Sequence, residues 1–101
     1  MAYGSVSVGT QVISNQTDIA VGRLGVPVRV YSLTVTSGGT AAVVKLCNGT
    51  STGGTALTQL DGTISKTIIQ SWNEGLLFPL GCFADVDANS AIVAIAYSQE
   101  N

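Results

Sequence analysis

Chemistry in this chain would have to come from very few side chains. Asp85 and Asp87 alternate, with Asn89 two residues on; the cysteines are Cys47 and Cys82; and Trp72 sits in the polar run Gln70-Ser71-Trp72-Asn73-Glu74. Asp85-x-Asp87-x-Asn89 matches the opening of a calcium loop. Ser90, however, stands where that loop needs glycine, and Ala96 where it needs a bidentate acid. Alternate acids of this kind read as the solvated face of a strand. They do not flank a cleft as glycosidase carboxylates must, because residues two apart on a strand point the same way. Neither cysteine has a histidine to activate it, since the chain contains none. The same absence removes the commonest general base and the usual zinc ligand. Gly49, Gly53 and Gly54 are followed by neither a Lys-Thr pair nor a helix pattern, so they form no phosphate loop. The chain is therefore read as not an enzyme, with no catalytic residue, cofactor or metal expected.

Composition narrows the partners. At 101 residues there is room for one domain, residues 1–101. Only 10% of residues are charged, with a formal charge of -2, and the cations Arg23, Arg29, Lys45 and Lys66 are dispersed. Four scattered cations make a poor phosphate footprint, which argues against nucleic acid. Hydrophobic residues reach 46%, yet no apolar run approaches the roughly 20 residues of a membrane span. The opening Met1-Ala2-Tyr3-Gly4-Ser5 carries no basic segment followed by an apolar one, so synthesis in a reducing compartment is expected. Free thiols are expected there, and the sequons at Asn15 and Asn48 are chance products of a Thr-rich chain.

The elements that must position these residues are strands. Glycines punctuate short Val/Ile/Thr-rich runs at about 8–12-residue spacing, the pattern of an all-β sandwich or barrel. Strands are predicted near residues 6–12, 19–21, 28–35, 41–47, 56–60, 66–70, 76–78, 82–86 and 91–97. A single helical turn is conceivable only near residues 72–74. The segments Thr36-Ser37-Gly38-Gly39-Thr40 and Leu60-Asp61-Gly62-Thr63 carry hairpin chemistry, and Asn48-Gly49 opens a longer polar loop.

Alternation assigns the faces. Ala42, Val44 and Leu46 are expected inward, with Val43, Lys45 and Cys47 outward. Cys82, Ala84 and Val86 are expected inward, opposite Phe83, Asp85 and Asp87. This facing argues against a bridge between the two cysteines. The last strand breaks the rule: Ile92, Ala94 and Ala96 lie on one side, and Val93, Ile95 and Tyr97 on the other. A strand apolar on both faces is covered on both. The second cover is either another subunit, making Val93, Ile95 and Tyr97 an oligomer interface, or a loop of the same chain. Trp72 is either a partner contact, for a protein interface or a sugar, or a half-buried lid over the core edge. Residues 1–12, with Val6 and Val8, read as an edge strand or as an arm that adds a strand to a partner.

From Tyr31 to Tyr97 the cadence is Val35-Thr36-Ser37-Gly38-Gly39-Thr40-Ala41-Ala42-Val43-Val44-Lys45-Leu46, a Gly/Thr loop at residues 48–55, then short strands ending at residues 92–98. It resembles the small β-sandwich virion proteins of tailed bacteriophages, cyanobacterial phages included, among them capsid decoration (cement) proteins. The resemblance rests on composition and strand–loop order. It implies a jelly-roll-like sandwich of two antiparallel sheets and about eight short strands. It also implies a homo-oligomer, commonly a trimer, that clamps the major capsid or another virion protein and belongs to a virion assembled in the host cytoplasm. The alternative function is a carbohydrate-binding or adhesive module at a fibre or receptor-binding tip.

Overall fold

The computed structural model describes residues 6–14, 18–87 and 91–100, with the side chains of 9–14, 18–87 and 91–99. Eight strands run β1 (Val6–Ser14), β2 (Asp18–Val21), β3 (Val28–Thr36), β4 (Val43–Asn48), β5 (Thr55–Asp61), β6 (Thr67–Phe78), β7 (Cys82–Asp87) and β8 (Ile92–Glu100). They form two four-stranded antiparallel sheets: sheet A in the order β1-β8-β3-β6, and sheet B in the order β2-β7-β4-β5. Within them β1 pairs β8, β2 pairs β7, β3 pairs β6 and β4 pairs β5. The chain is thus one long hairpin rolled up on itself, the double Greek key of a jelly roll.

β-branched residues at every second position make the core. Val28, Val30, Leu33 and Val35 of β3 meet Val44 and Leu46 of β4, Ala84 and Val86 of β7, and Val93 and Ile95 of β8, all at 0–1% exposure. The inward sets predicted for β4 and β7 are those found. β3 keeps its alternation only by inserting Tyr31: Val30 pairs Tyr97 while Ser32 pairs Ala96, so one residue bulges out of the ladder.

The expected hairpins at residues 36–40 and 60–63 are instead corners between sheets. β3 and β6 lie in sheet A, whereas β4 and β5 lie in sheet B. Both corners sit together: Ser37 N–H donates to the Lys66 carbonyl at 3.0 Å, Ser65 N–H to Gly38 at 3.0 Å and Gly62 N–H to Ala42 at 2.7 Å. Gly62 is required there, because a Cβ would strike the buried Ser37 hydroxyl. Turn-forming residues satisfy a corner as well as a hairpin, so local chemistry alone does not separate the two. Of the three turn segments, only residues 49–54 join strands of one sheet. The strands expected at 66–70 and 76–78 are parts of a single strand, β6, which begins at Thr67 and runs through Trp72–Glu74 without a helical turn.

The lateral seams differ. On the β1/β2 side two inward-facing glutamines join the sheets. Gln11 donates to the Ala20 carbonyl (2.9 Å) and accepts from Gly22 N–H (2.8 Å). Gln99, 9% exposed, accepts from Arg23 N–H (2.7 Å) and donates to the Arg23 and Val26 carbonyls (3.0 and 3.1 Å). On the β5/β6 side the sheets are closed by the partly buried Leu60, Trp72 and Leu76 packing against the core.

Candidate functional site

The side chains expected to make contacts outside the chain are mostly turned into it. Val93 and Ile95 are 0% exposed within the core, and Tyr97 packs against that core. The interface expected on that side of β8 is corrected: sheet B of the same chain covers it and leaves no room for another subunit. Trp72 is partly buried against the core. Val6 and Val8 are backbone partners of Glu100 and Ser98 in β1–β8, so this stretch is an edge strand of sheet A; their side chains lie outside the described ones. Residues 1–5 and the Ala88–Ser90 end of the aspartate motif lie outside the described residues.

What remains open are the two outer faces, and they differ in charge. On sheet B, Asp18 lies directly opposite Asp85, Asp85 opposite Lys45, and Val43 between Asp87 and Asp61. Four of the six acids thus share one face with a single cation. Partial burial, then the Asp18 charge and a hydrogen bond with its carboxyl, hold the Asp85 carboxyl above the usual carboxylate range, against the opposing pull of Lys45. Among the described residues no group of three or more Cys, Asp or Glu side chains could hold a metal ion. Cys47 faces this side, as its alternation predicts, yet it is only 1% exposed. Its thiol points at the Thr52 carbonyl (4.0 Å), so the following loop covers it. Burial, then the nearby Asp85, raises its pKa; burial pushes the Cys82 thiol up to about 12. Both are free thiols, and neither has the thiolate character of a nucleophile.

Sheet A presents the opposite character. Register places Val12, Ala94, Thr34 and Ile69 in one row across its outer face. Ser14, Ile92, Thr36 and Thr67 form the next row on one side, and Thr10, Ala96, Ser32 and Ser71 the row on the other. Twelve consecutive outward positions carry no charge, and Val12, Ile69 and Ile92 are 62%, 64% and 50% exposed. Alternation in β8 indicates this face, but only the sheet order joins it to β1, β3 and β6.

At the far end of the same face the Tyr31 bulge opens a cleft of about 270 Å³ lined by Pro27, Arg29, Tyr31, Leu77 and Ser98. Sequence reasoning passed over it. The available signal is Gly75 inside a strand pattern, a mark of a bulge or a close backbone approach.

No helix among the described residues is long and apolar enough to cross a membrane. No family model and no curated protein matches the sequence. Solved structures do. A subunit of Bacillus endospore appendages, described as a novel family of disulfide-linked pili, aligns over 95% of this chain and 88% of its own, with a TM-score of 0.57 and 9% identity. The Tobacco streak virus coat protein aligns over 100% and 90% (TM-score 0.48, 11% identity), and the Yersinia pseudotuberculosis-derived mitogen over 95% and 86% (TM-score 0.32, 10% identity). At such identities the likeness to the appendage subunit is one of fold.

Proposed function

We propose that this protein is a non-enzymatic structural subunit that associates with itself through the outer face of sheet A, and that it serves as a decoration (cement) protein on a phage shell. The observation that carries the reading is the partition of charge between the two faces. Acidic faces repel one another, which disfavours contact through sheet B, while nothing on sheet A opposes a second copy. The three uncharged rows span about five residues of four strands about 4.8 Å apart, at about 3.3 Å per residue, a patch of roughly 320 Å² that leaves the Tyr31 cleft outside it. A contact burying it on two copies removes roughly 630 Å², the area of a weak, transient association that repetition on a shell would reinforce. Used isologously the face closes a dimer; used against a different surface of the next copy it closes a ring. We assign three copies, the number implied by the resemblance to phage decoration proteins. β1 is engaged with β8 over all nine of its residues, so lending it to a neighbour would first cost that ladder. The clamp on the shell is therefore assigned to loops and to residues preceding β1.

Light scattering on the purified chain and on Ala94→Arg tests the reading. A trimer for the native chain and a folded monomer for the variant are expected, with native binding to phage shells weakened as avidity is lost. A native monomer at high concentration overturns it. The second reading, an adhesive module that binds sugars, is favoured by the Tyr31 cleft.

A further inference from the structure

The Tyr31 cleft is built by two irregularities that face each other. Tyr31 is the extra residue of β3 against β8, with none opposite it. On β6 the residues between Ser71 and Leu76, the partners of Ser32 and Val30, bow out opposite it. The bow brings the β6 backbone beneath two side chains. Gly75 has φ +83°, and a Cβ there would collide with Arg29 Cγ, stand 2.6 Å from its Cδ and 3.0 Å from Tyr31 Cε1. Any other residue at 75 would displace the Arg29 stem and strain the backbone as well.

The polar groups are then fixed in place. Arg29 Nη1 donates to the Glu74 carbonyl at 3.3 Å, and the Tyr31 and Ser98 hydroxyls lie 3.0 Å apart. Ser98 and Leu77 are the cross-strand partners of Arg29, one on each side. The cleft is therefore lined by Arg29, by a hydroxyl pair and the Tyr31 ring, and by the 45%-exposed Leu77 with Pro27. Among the described residues Arg29 makes no ion pair, and one carbonyl leaves most of its five N–H donors unused. Arg presents those donors as a planar fork that fits a carboxylate with two parallel bonds.

We propose that this cleft binds a carboxylated sugar, of the uronic-acid kind, with its carboxylate on Arg29. Its hydroxyls exchange hydrogen bonds with the Tyr31–Ser98 pair, and the C–H face of its ring lies against Tyr31 and Leu77. Volume sets the size: about 270 Å³ corresponds to roughly nine waters at their liquid volume, enough for one pyranose residue. A pair of hydroxyls that can each donate or accept suits a polyhydroxylated ring better than an apolar acid. The site lies beyond the Val12–Ala94–Thr34–Ile69 row and does not depend on the self-association proposed above.

The test is an NMR titration of the full chain with glucuronate, galacturonate, neutral glucose and acetate. Saturable shifts at Tyr31, Ser98 and Leu77 are expected with at least one uronate. Glucose and acetate should each bind at least tenfold more weakly. Arg29→Gln should lose at least tenfold in affinity at unchanged melting temperature, and Arg29→Lys should recover only part of it, because a point charge lacks the fork. Equal binding of glucose, acetate binding as well as either uronate, a carboxyl-terminal dipeptide binding tighter than both, or full affinity in Arg29→Gln would each overturn the proposal. Ala94→Arg separates the two proposals, since it should break association and leave uronate binding intact.

Discussion

Asp18→Asn is expected to stabilise the protein at neutral pH, and the size of the gain follows from the sheet register. Asp18 and Asp85 are directly opposed on β2 and β7. Two like charges about 5 Å apart in water repel by roughly 0.8 kcal/mol, and like charges directly opposite in a ladder destabilise it. Salt at about 0.15 M removes nearly half of that. Lys45, across from Asp85 on the other side, offsets more. A net gain of about 0.3 kcal/mol remains, worth about 1–2 °C in melting temperature for a domain of this size. The sign with pH is fixed by Asp85. Its folded pKa is raised above the ordinary 3.8, so the folded chain holds that proton more tightly than the unfolded chain. Stability contributed by the protonated pair is present below pH 3.8 and is lost as pH rises through the higher folded value. Thermal melts by circular dichroism at pH 3 and pH 7, in low and high salt, measure it. The native chain should lose more stability than Asp18→Asn between pH 3 and pH 7, and salt should narrow the gap at pH 7. A variant less stable at pH 7, or a gain equal at both pH values and indifferent to salt, would refute the reasoning.

Two further outcomes are expected. Gln99→Leu leaves the Arg23 N–H and the Arg23 and Val26 carbonyls without their amide partner, so it should cost about 2–4 kcal/mol. The urea midpoint should fall at constant m-value, and an unchanged midpoint would show that the glutamine does not hold the seam. Both thiols should resist an aromatic disulfide reagent at pH 8 in the folded chain and react on unfolding, Cys82 being the slower where partial opening exposes one. Prompt modification of native Cys82 would contradict its place in the core.

Alternation was enough to place Val44, Leu46, Ala84 and Val86 in the core, because each belongs to a strand with one apolar face. It failed informatively at β8. A strand apolar on both sides announces two covers but not which is which, and the answer depends on sheet B lying over Val93 and Ile95 rather than over Ile92 and Ala94. The outward facing of Cys47 was legible, whereas its burial comes from a loop whose path no local pattern specifies. Gln11 and Gln99 sit at inward positions that composition would leave to solvent. Only the sheet pairing shows that backbone groups of β2 and the turn after it await them. Arg29, Tyr31 and Gly75 come together where the register shifts by one residue against β8 and by three against β6, irregularities that leave almost no trace in the sequence.

The same features bear on how association would stop. A chain this poor in charge is at risk of pairing edge to edge, which propagates without limit. Three of the four edges are blunted: β2 is four residues long, β5 ends in Asp61, and β6 carries the bow around Gly75, whereas β1 presents a nine-residue edge. The outer face of sheet A has no such device, and its backbone is already paired within the sheet. Contact there uses side chains alone and is finite in area. Three copies closed through that face make a finite ring, so its size should saturate with concentration; a scattering mass that keeps climbing would mean an open contact, made through an edge or through a rotation that does not close.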